Sequence, residues 1–451
     1  MKTPIVDFVR EYAEKESVRL HMPGHKGIDL LGVERLDITE IDGADVLYSP
    51  DGIILESENN ASQIFGTAHT YYSTEGSSLC IKAMLAIATA NKGEEKPLIV
   101  ATRNSHKAFI YAAALLDVDV EWLYPTQSSH LCACDITPSE LESVLDKSQK
   151  NPSAVYVTSP DYLGNILDIK GLADVCHTRG IPLLVDNAHG AYLKFCESFT
   201  DIAHPISLGA DMCCDSAHKT LPVLTGGAYL HISKSADKSF CKIAREKLSL
   251  FSSTSPSYLI IQSLDMCNSY LCDGYEDRLE RLCDRLIQLC ERLADKGYVV
   301  SAKEPAKILI DSSKANFSGT SLGEFLRAQG IEIEFSDRDC VVMMFTPENS
   351  DGDIERVQRA LLNFDISSKT KPDGVMAQPS LIMPKRMMSI RDAIFSQSEI
   401  VCTCDAKGRV CAAPTVSCPP AVPVVVSGEL IHEAHIELLR YYGINKISVV
   451  K

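Results

Sequence analysis

The sequence predicts an α/β protein whose main body is a mostly parallel sheet with helices on both faces, accompanied by a smaller α+β module. Three observations carry that prediction. Between Ser57 and about Asp265, short apolar runs alternate with segments of helical periodicity. The chain has 451 residues, more than one ordinary core accommodates, so a large domain with a smaller companion is expected. From Lys307 onward the order changes to strand, helix, strand, strand, helix, an α+β pattern.

Taken in order, residues 1 to about 18 read as an amphipathic helix with Ile5, Phe8, Val9 and Tyr12 on one face, expected to pack on the body or on a partner subunit. The stretch 20–27 contains Pro23, Gly24 and Gly27, which exclude a regular element, and it carries His21, His25 and Lys26. Residues 37–50 are irregular and acidic. Helices are predicted over 78–90, 107–116 and 172–179, and strands over 97–101, 118–123, 154–158, 182–185 and 227–232. A strand is also predicted to end at Lys219. Beyond a helix over 278–296 come strands at 307–310, 331–335 and 340–345, with helices over 321–329 and 353–362. A helix near 389–396 and a last one from about 428 to 442 close the chain. The expected divisions are an N-terminal segment over 1–50, a large domain over 51–275, a small domain over 276–365, a linker over 366–380 and a tail over 381–451.

Composition narrows the class. Hydrophobic residues make up 45% and charged residues 23%, as in soluble globular proteins. No run reaches the roughly 18 apolar residues of a membrane span, and the N-terminus lacks a signal peptide's apolar core. The 17 cysteines are spread through the chain, and reduced thiols of a cytoplasmic protein are expected rather than a disulfide framework. A net charge of -16 argues against nucleic acid as a partner and is compatible with a cationic small molecule.

Two strand ends carry unusual charge. The run Pro182-Leu-Leu-Val-Asp186 sets a carboxylate directly after a buried strand, where it needs a cationic partner. A protonated pyridine nitrogen would supply one and would keep the ring able to accept electrons. In Ser216-Ala-His218-Lys219-Thr-Leu, a lysine beside a desolvated cleft becomes a competent Schiff-base amine, so Lys219 is the candidate anchor for pyridoxal 5'-phosphate. Phosphate donors are available in Ser73-Thr-Glu75-Gly76-Ser77-Ser78, which runs into an apolar helix, in Ser216 and His218, and in the loop around Ser253. His106, after the PLIVA strand, is placed to lie flat over an aromatic cofactor; the plainer reading is that Ser105 caps a helix and His106 is incidental.

These segments together resemble the Orn/Lys/Arg decarboxylase family of fold-type I pyridoxal-phosphate enzymes, over roughly residues 19–265. The shared pattern comprises His21-Met-Pro-Gly-His-Lys26, Leu36-Asp-Ile-Thr-Glu40, Phe65-Gly-Thr67 through Ser78, Arg103-Asn-Ser-His106-Lys, Asp186-Asn-Ala-His189-Gly-Ala, Ser216-Ala-His218-Lys219-Thr-Leu and Ser253-Thr-Ser-Pro-Ser257. The resemblance implies a mostly parallel seven-stranded sheet in a large domain and a smaller α+β C-terminal domain. It implies that Lys219 binds the cofactor covalently, Asp186 pairs with its ring nitrogen and His106 stacks on the ring, with His189 counted among the catalytic residues. Phosphate contacts would come from Gly76, Ser77, Ser78, Ser216 and His218, and the Ser253 loop would reach in from a second subunit of a homodimer. Two departures stand out: Asn187 where the family has Glu, and Glu75-Gly-Ser-Ser where it has an Asn-Gly-Thr-Ser type of turn. The family's longer members carry an extra N-terminal domain, so a short form is expected.

The implied activity is decarboxylation of a basic amino acid, lysine, ornithine or arginine, to a polyamine-type amine. The rivals are a fold-type I aminotransferase or another pyridoxal-phosphate lyase, and an inactive binding or regulatory subunit of the same fold. Aminotransferases clamp the substrate carboxylate with a small-domain arginine, and the strand at 340–346 has none. Cys402, Cys404, Cys411 and Cys418 lack the paired spacing of a zinc site and read as reduced structural thiols, so no metal is expected.

Overall fold

A computed structural model describes residues 1–90, 96–125, 130–367, 383–414 and 422–451. From residue 368 on, the expected linker lies outside the described residues, as does Cys418. The chain divides into two compact units, one of residues 1–101, 137–159 and 168–276, the other of residues 102–136, 160–167 and 277–451.

The principal sheet has seven strands, β1 (His69–Ser73), β2 (Leu98–Thr102), β3 (Asp119–Leu123), β4 (Ala154–Thr158), β5 (Leu183–Asp186), β6 (Met212–Asp215) and β7 (Ala228–Ile232). They lie in the order β1-β7-β6-β5-β4-β2-β3. Strands β2, β4, β5 and β6 pair in parallel, while β6 with β7 and β7 with β1 are antiparallel. β5 and β6 are buried at every position, which explains why they read as unbroken apolar runs closed by a carboxylate. Strand β1, His-Thr-Tyr-Tyr-Ser, escaped the sequence reading because its polar residues hide a fully buried interior, with Thr70 and Ser73 both inaccessible.

Lys219 does not end a strand. β6 stops at Asp215, and Lys219 sits in a single helical turn, Ala217–Thr220. The first helix is also shorter than periodicity suggests, Pro4–Glu14, because Pro4 sets its start. Its first-turn N–H groups are capped from afar: Asp265 accepts from the amides of Ile5 and Val6, both at 3.0 Å.

The second unit contains an antiparallel sheet in the order β10-β11-β9-β8, made of β8 (Val299–Ser301), β9 (Lys307–Asp311), β10 (Phe335–Ser336) and β11 (Cys340–Met344). The strand expected over 331–335 is reduced to the two residues of β10. A two-stranded sheet of β12 (Ser398–Cys402) and β13 (Lys446–Val450), unforeseen from sequence, packs with the helix Glu433–Tyr441. That helix begins at Glu433 rather than near 428, because His432 is its N-cap, its amide donating to His435 Nδ1 at 3.0 Å, while Gly428 sits in a turn at φ +88°.

Candidate active site

The first unit gathers its unusual side chains at the carboxyl ends of β5 and β6, where ligands of such sheets bind. Asp186 is 2% exposed. It accepts from the Tyr156 hydroxyl (3.0 Å) on β4, from the Ala188 amide (3.2 Å) and from the Cys214 thiol (3.6 Å) on β6. Burial first, and then the Asp186 charge, pushes both the Tyr156 phenol and the Cys214 thiol well above their ordinary pKa ranges, so both keep their protons and donate. All three donors are neutral. A carboxylate so placed fits a protonated pyridine nitrogen as its cationic partner.

Lys219 Nζ lies 3.1 Å from His189 Nε2. With the amine donating, Nε2 is the acceptor and the proton of the neutral ring sits on Nδ1. The turn before the helix Gly76–Thr89 meets the Lys219 segment through Ser216, whose hydroxyl donates to Ser77 Oγ at 2.8 Å. Gly76, at φ +69°, donates its amide to the Gly226 carbonyl (2.7 Å). Gly226 has φ +101°, and a Cβ there would lie 2.9 Å from the Thr74 carbonyl, so this approach requires glycine. Two hydroxyls beside a helix N-terminus form a setting that suits a phosphate. Ser78 follows, half-buried, in the first turn of the helix.

The other candidates are placed differently. His218 donates from Nδ1 to the Gly227 carbonyl (2.9 Å), and burial lowers its pKa. In the neutral ring Nε2 is then an acceptor, so contact with an anion would need the imidazolium. Ser253 donates its amide to Glu75 of the same chain (2.6 Å), so this loop borders the Gly76 turn of its own chain, and Ser253 is exposed. Asn187, just past the end of β5, turns its amide to Asp215, to which it donates (2.7 Å).

His106 belongs to the second unit, where it is itself the N-cap of the helix Lys107–Leu115, accepting from the Ala108 amide at Nδ1 (3.1 Å). Ser105 instead donates to the Thr102 carbonyl. The loop is anchored by Arg103, which donates to the carbonyls of Pro423 (3.2 Å) and Val424 (3.1 Å), pairs with Glu429 (3.1 Å) and lies 5.3 Å over the Trp122 ring. Cys402 and Cys404 are exposed with their sulfurs 2.7 Å apart, and Cys411 is buried, so of these only Cys411 fits a structural packing role.

Sequence reasoning missed Tyr156, Asp215, His204 and His231. The signal for Asp215 was present: Met-Cys-Cys-Asp closes an apolar strand with an acid, as Leu-Leu-Val-Asp does at Asp186.

Residues 3–311 match the family model for the major domain of Orn/Lys/Arg decarboxylases. An arginine decarboxylase of Bacillus subtilis is 28% identical over 97% of this chain and 93% of its own length. Another, from Halalkalibacterium halodurans, is also 28% identical, over 97% of this chain and 93% of its own. Among solved structures, a Francisella novicida lysine decarboxylase superposes with a TM-score of 0.81 at 16% identity, covering 100% of this chain and 81% of that one. The constitutive lysine decarboxylase of Escherichia coli gives 0.79 at 18% identity, over 100% and 82%. The architecture is therefore that of the fold-type I enzymes, a class whose members here are pyridoxal-phosphate dependent.

Proposed function

Since the chain belongs to the Orn/Lys/Arg decarboxylase family, we propose that it is a pyridoxal-phosphate-dependent decarboxylase of lysine, ornithine or arginine, releasing CO2 and the corresponding amine. The observation that carries the proposal is the Asp186 carboxylate, buried among neutral donors on the strand beside the one leading to Lys219. When bound, the cofactor supplies an electron sink for the pair left at the α-carbon by departing CO2. Lys219 would hold it covalently, and Asp186 would keep its ring nitrogen protonated. The Gly76 turn, Ser77, Ser78 and Ser216 would take its phosphate, with His218 and Ser253 at the margins. His189, 3.1 Å from Nζ, could take a proton from the Lys219 ammonium, leaving a neutral amine able to act as a nucleophile, and hand that proton back through Lys219. His106 is assigned the stacking role on the family pattern.

We further propose a cytoplasmic homodimer. The partner's contact would be the segment 18–31, where Val18, Leu20, Met22, Ile28, Leu30 and Leu31 are each 64% exposed or more. No described helix is long and apolar enough to cross a membrane. The test is a product assay with lysine, ornithine and arginine, with and without a keto acid. CO2 release from one of them without a keto acid is the expected result. Amine transfer that depends on the keto acid would replace decarboxylation by transamination. Failure of all three to perturb the absorbance of bound cofactor would favour a binding subunit.

A further inference from the structure

On the sheet face opposite the Asp186 carboxylate lies a second buried carboxylate that the proposed chemistry does not use. Asp215 closes β6 and is 0% exposed. Its Oδ2 accepts from Nε2 of His204 and of His231, both at 3.0 Å, and its Oδ1 accepts from the Asn187 amide at 2.7 Å and from the Cys213 thiol at 3.6 Å. His204 accepts the Ile206 amide at Nδ1 (3.3 Å), which places its proton on Nε2, pointing at Asp215. That tautomer makes the cluster a hydrogen-bonded hub, since a metal-bound imidazole would instead carry its proton on the other nitrogen. His231 reaches on to Thr70 of β1 (2.9 Å). Burial alone would raise the Asp215 pKa, but His204 and His231 outweigh it and hold the carboxyl well below its usual range. Cys80 and Tyr229, which also feel this charge, are pushed up by burial and by Asp215, so they keep their protons.

The hub joins two places that matter. Asn187 directly follows Asp186, and Asp215 directly precedes Ser216 in the turn that carries Lys219. We propose that Asp215 is a positioning residue: its charged carboxylate and the Asn187 amide clamp the end of β5 to the end of β6, fixing the Asp186 carboxylate relative to the Ser216–Lys219 turn. The functional part of this inference rests on the reading of Asp186 and Lys219 as cofactor ligands.

The charge itself can be tested by moving it. Asn187→Asp sets two buried carboxylates face to face, which cannot both ionise without a shared proton. The double variant N187D/D215N restores one carboxylate and one amide, in reversed positions. Each full-length protein is measured against the unsubstituted chain at pH 8 and pH 5.5, by amide exchange in the cofactor-free state and by pyridoxal 5'-phosphate titration. In N187D at pH 8, amides of residues 186–190 and 214–220 should exchange about tenfold faster, and cofactor affinity should fall roughly 10²-fold, both recovering at pH 5.5. N187D/D215N should stay within about threefold of the unsubstituted protein at both pH values. The clamp is refuted if N187D matches the unsubstituted chain at pH 8, or if the folded double variant is as impaired as N187D. Should the unsubstituted protein take up no cofactor, the decarboxylase reading falls while the exchange data still decide the clamp.

Discussion

The residues assigned to the cofactor are held in two different ways. Asp186, Ser216 and Lys219 sit at or just beyond the ends of β5 and β6, which a parallel ladder joins and the Asn187–Asp215 bond spans. His106 stands on a loop of the second unit, fixed by side chains: Arg103 spans to the carbonyls of Pro423 and Val424 and to Glu429, far along the chain. A sheet edge holds geometry through a ladder of backbone bonds, whereas this loop is held by side chains, with Arg103 and its buried partner Glu429 at the centre. The two sets of residues should therefore fail differently. Lys219→Ala removes the proposed covalent anchor and should lower decarboxylation by at least ~10⁴-fold, with loss of the visible absorbance of bound cofactor. His106→Ala removes the proposed stacking surface and should cost about 10²-fold with the absorbance retained. Equal losses in the two variants, or absorbance persisting in Lys219→Ala, would erase the distinction.

The charged part of the loop's anchor can be removed directly. Arg103 and Glu429 are 6% and 4% exposed, so removing one charge leaves the other buried and unpaired. Glu429→Gln should cost about 3 kcal/mol in denaturant unfolding. It should quicken amide exchange in residues 102–106 and 422–431 and leave β4, β5 and β6 unchanged. Faster exchange in those strands would mean that the loop and the sheet edge are one cooperative element.

The difference between the two regions also governed what could be read from the chain. Asp186 was legible because apolar strand residues followed by charge form a local pattern, and the charge that in fact closes β6 is Asp215, whereas Lys219, read as a strand end, lies in the helical turn beyond it. The Gly76 turn was legible because hydroxyls and glycine precede an apolar helix. What the sequence hid was non-local. Nothing near Arg103 announces Glu429, 326 positions away. Asp265, read only as the approximate end of the alternating stretch, caps the first helix 260 positions earlier. β1 was hidden because its Thr and Ser are buried by hydrogen bonding: Thr70 bonds Thr67 and His231. β12 was hidden because its residues Ser398, Glu399 and Ile400 are exposed, so no apolar run marks it.

Each region also holds a buried carboxyl whose pKa is pushed up to about 6, Asp265 in the first unit and Asp161 in the second, in each case by burial working against hydrogen bonds. Unfolded, such a group titrates near about 3.9. The folded chain therefore holds more protons between about 4 and 6, and stability falls as pH rises through that window, by at most about 1.4 kcal/mol per pH unit for each group. Asp265→Asn keeps an oxygen for the amides of Ile5 and Val6, and its new N–H₂ can donate to Ser57 Oγ, now 2.6 Å from the carboxylate. Urea unfolding between pH 4 and 7 should then show a shallower slope, with Asp161 supplying the remainder, and the change at neutral pH should stay within about 1 kcal/mol. If the slope is unaltered, the first helix is capped by a carboxylate that stays charged, and the pH response belongs to the second unit alone.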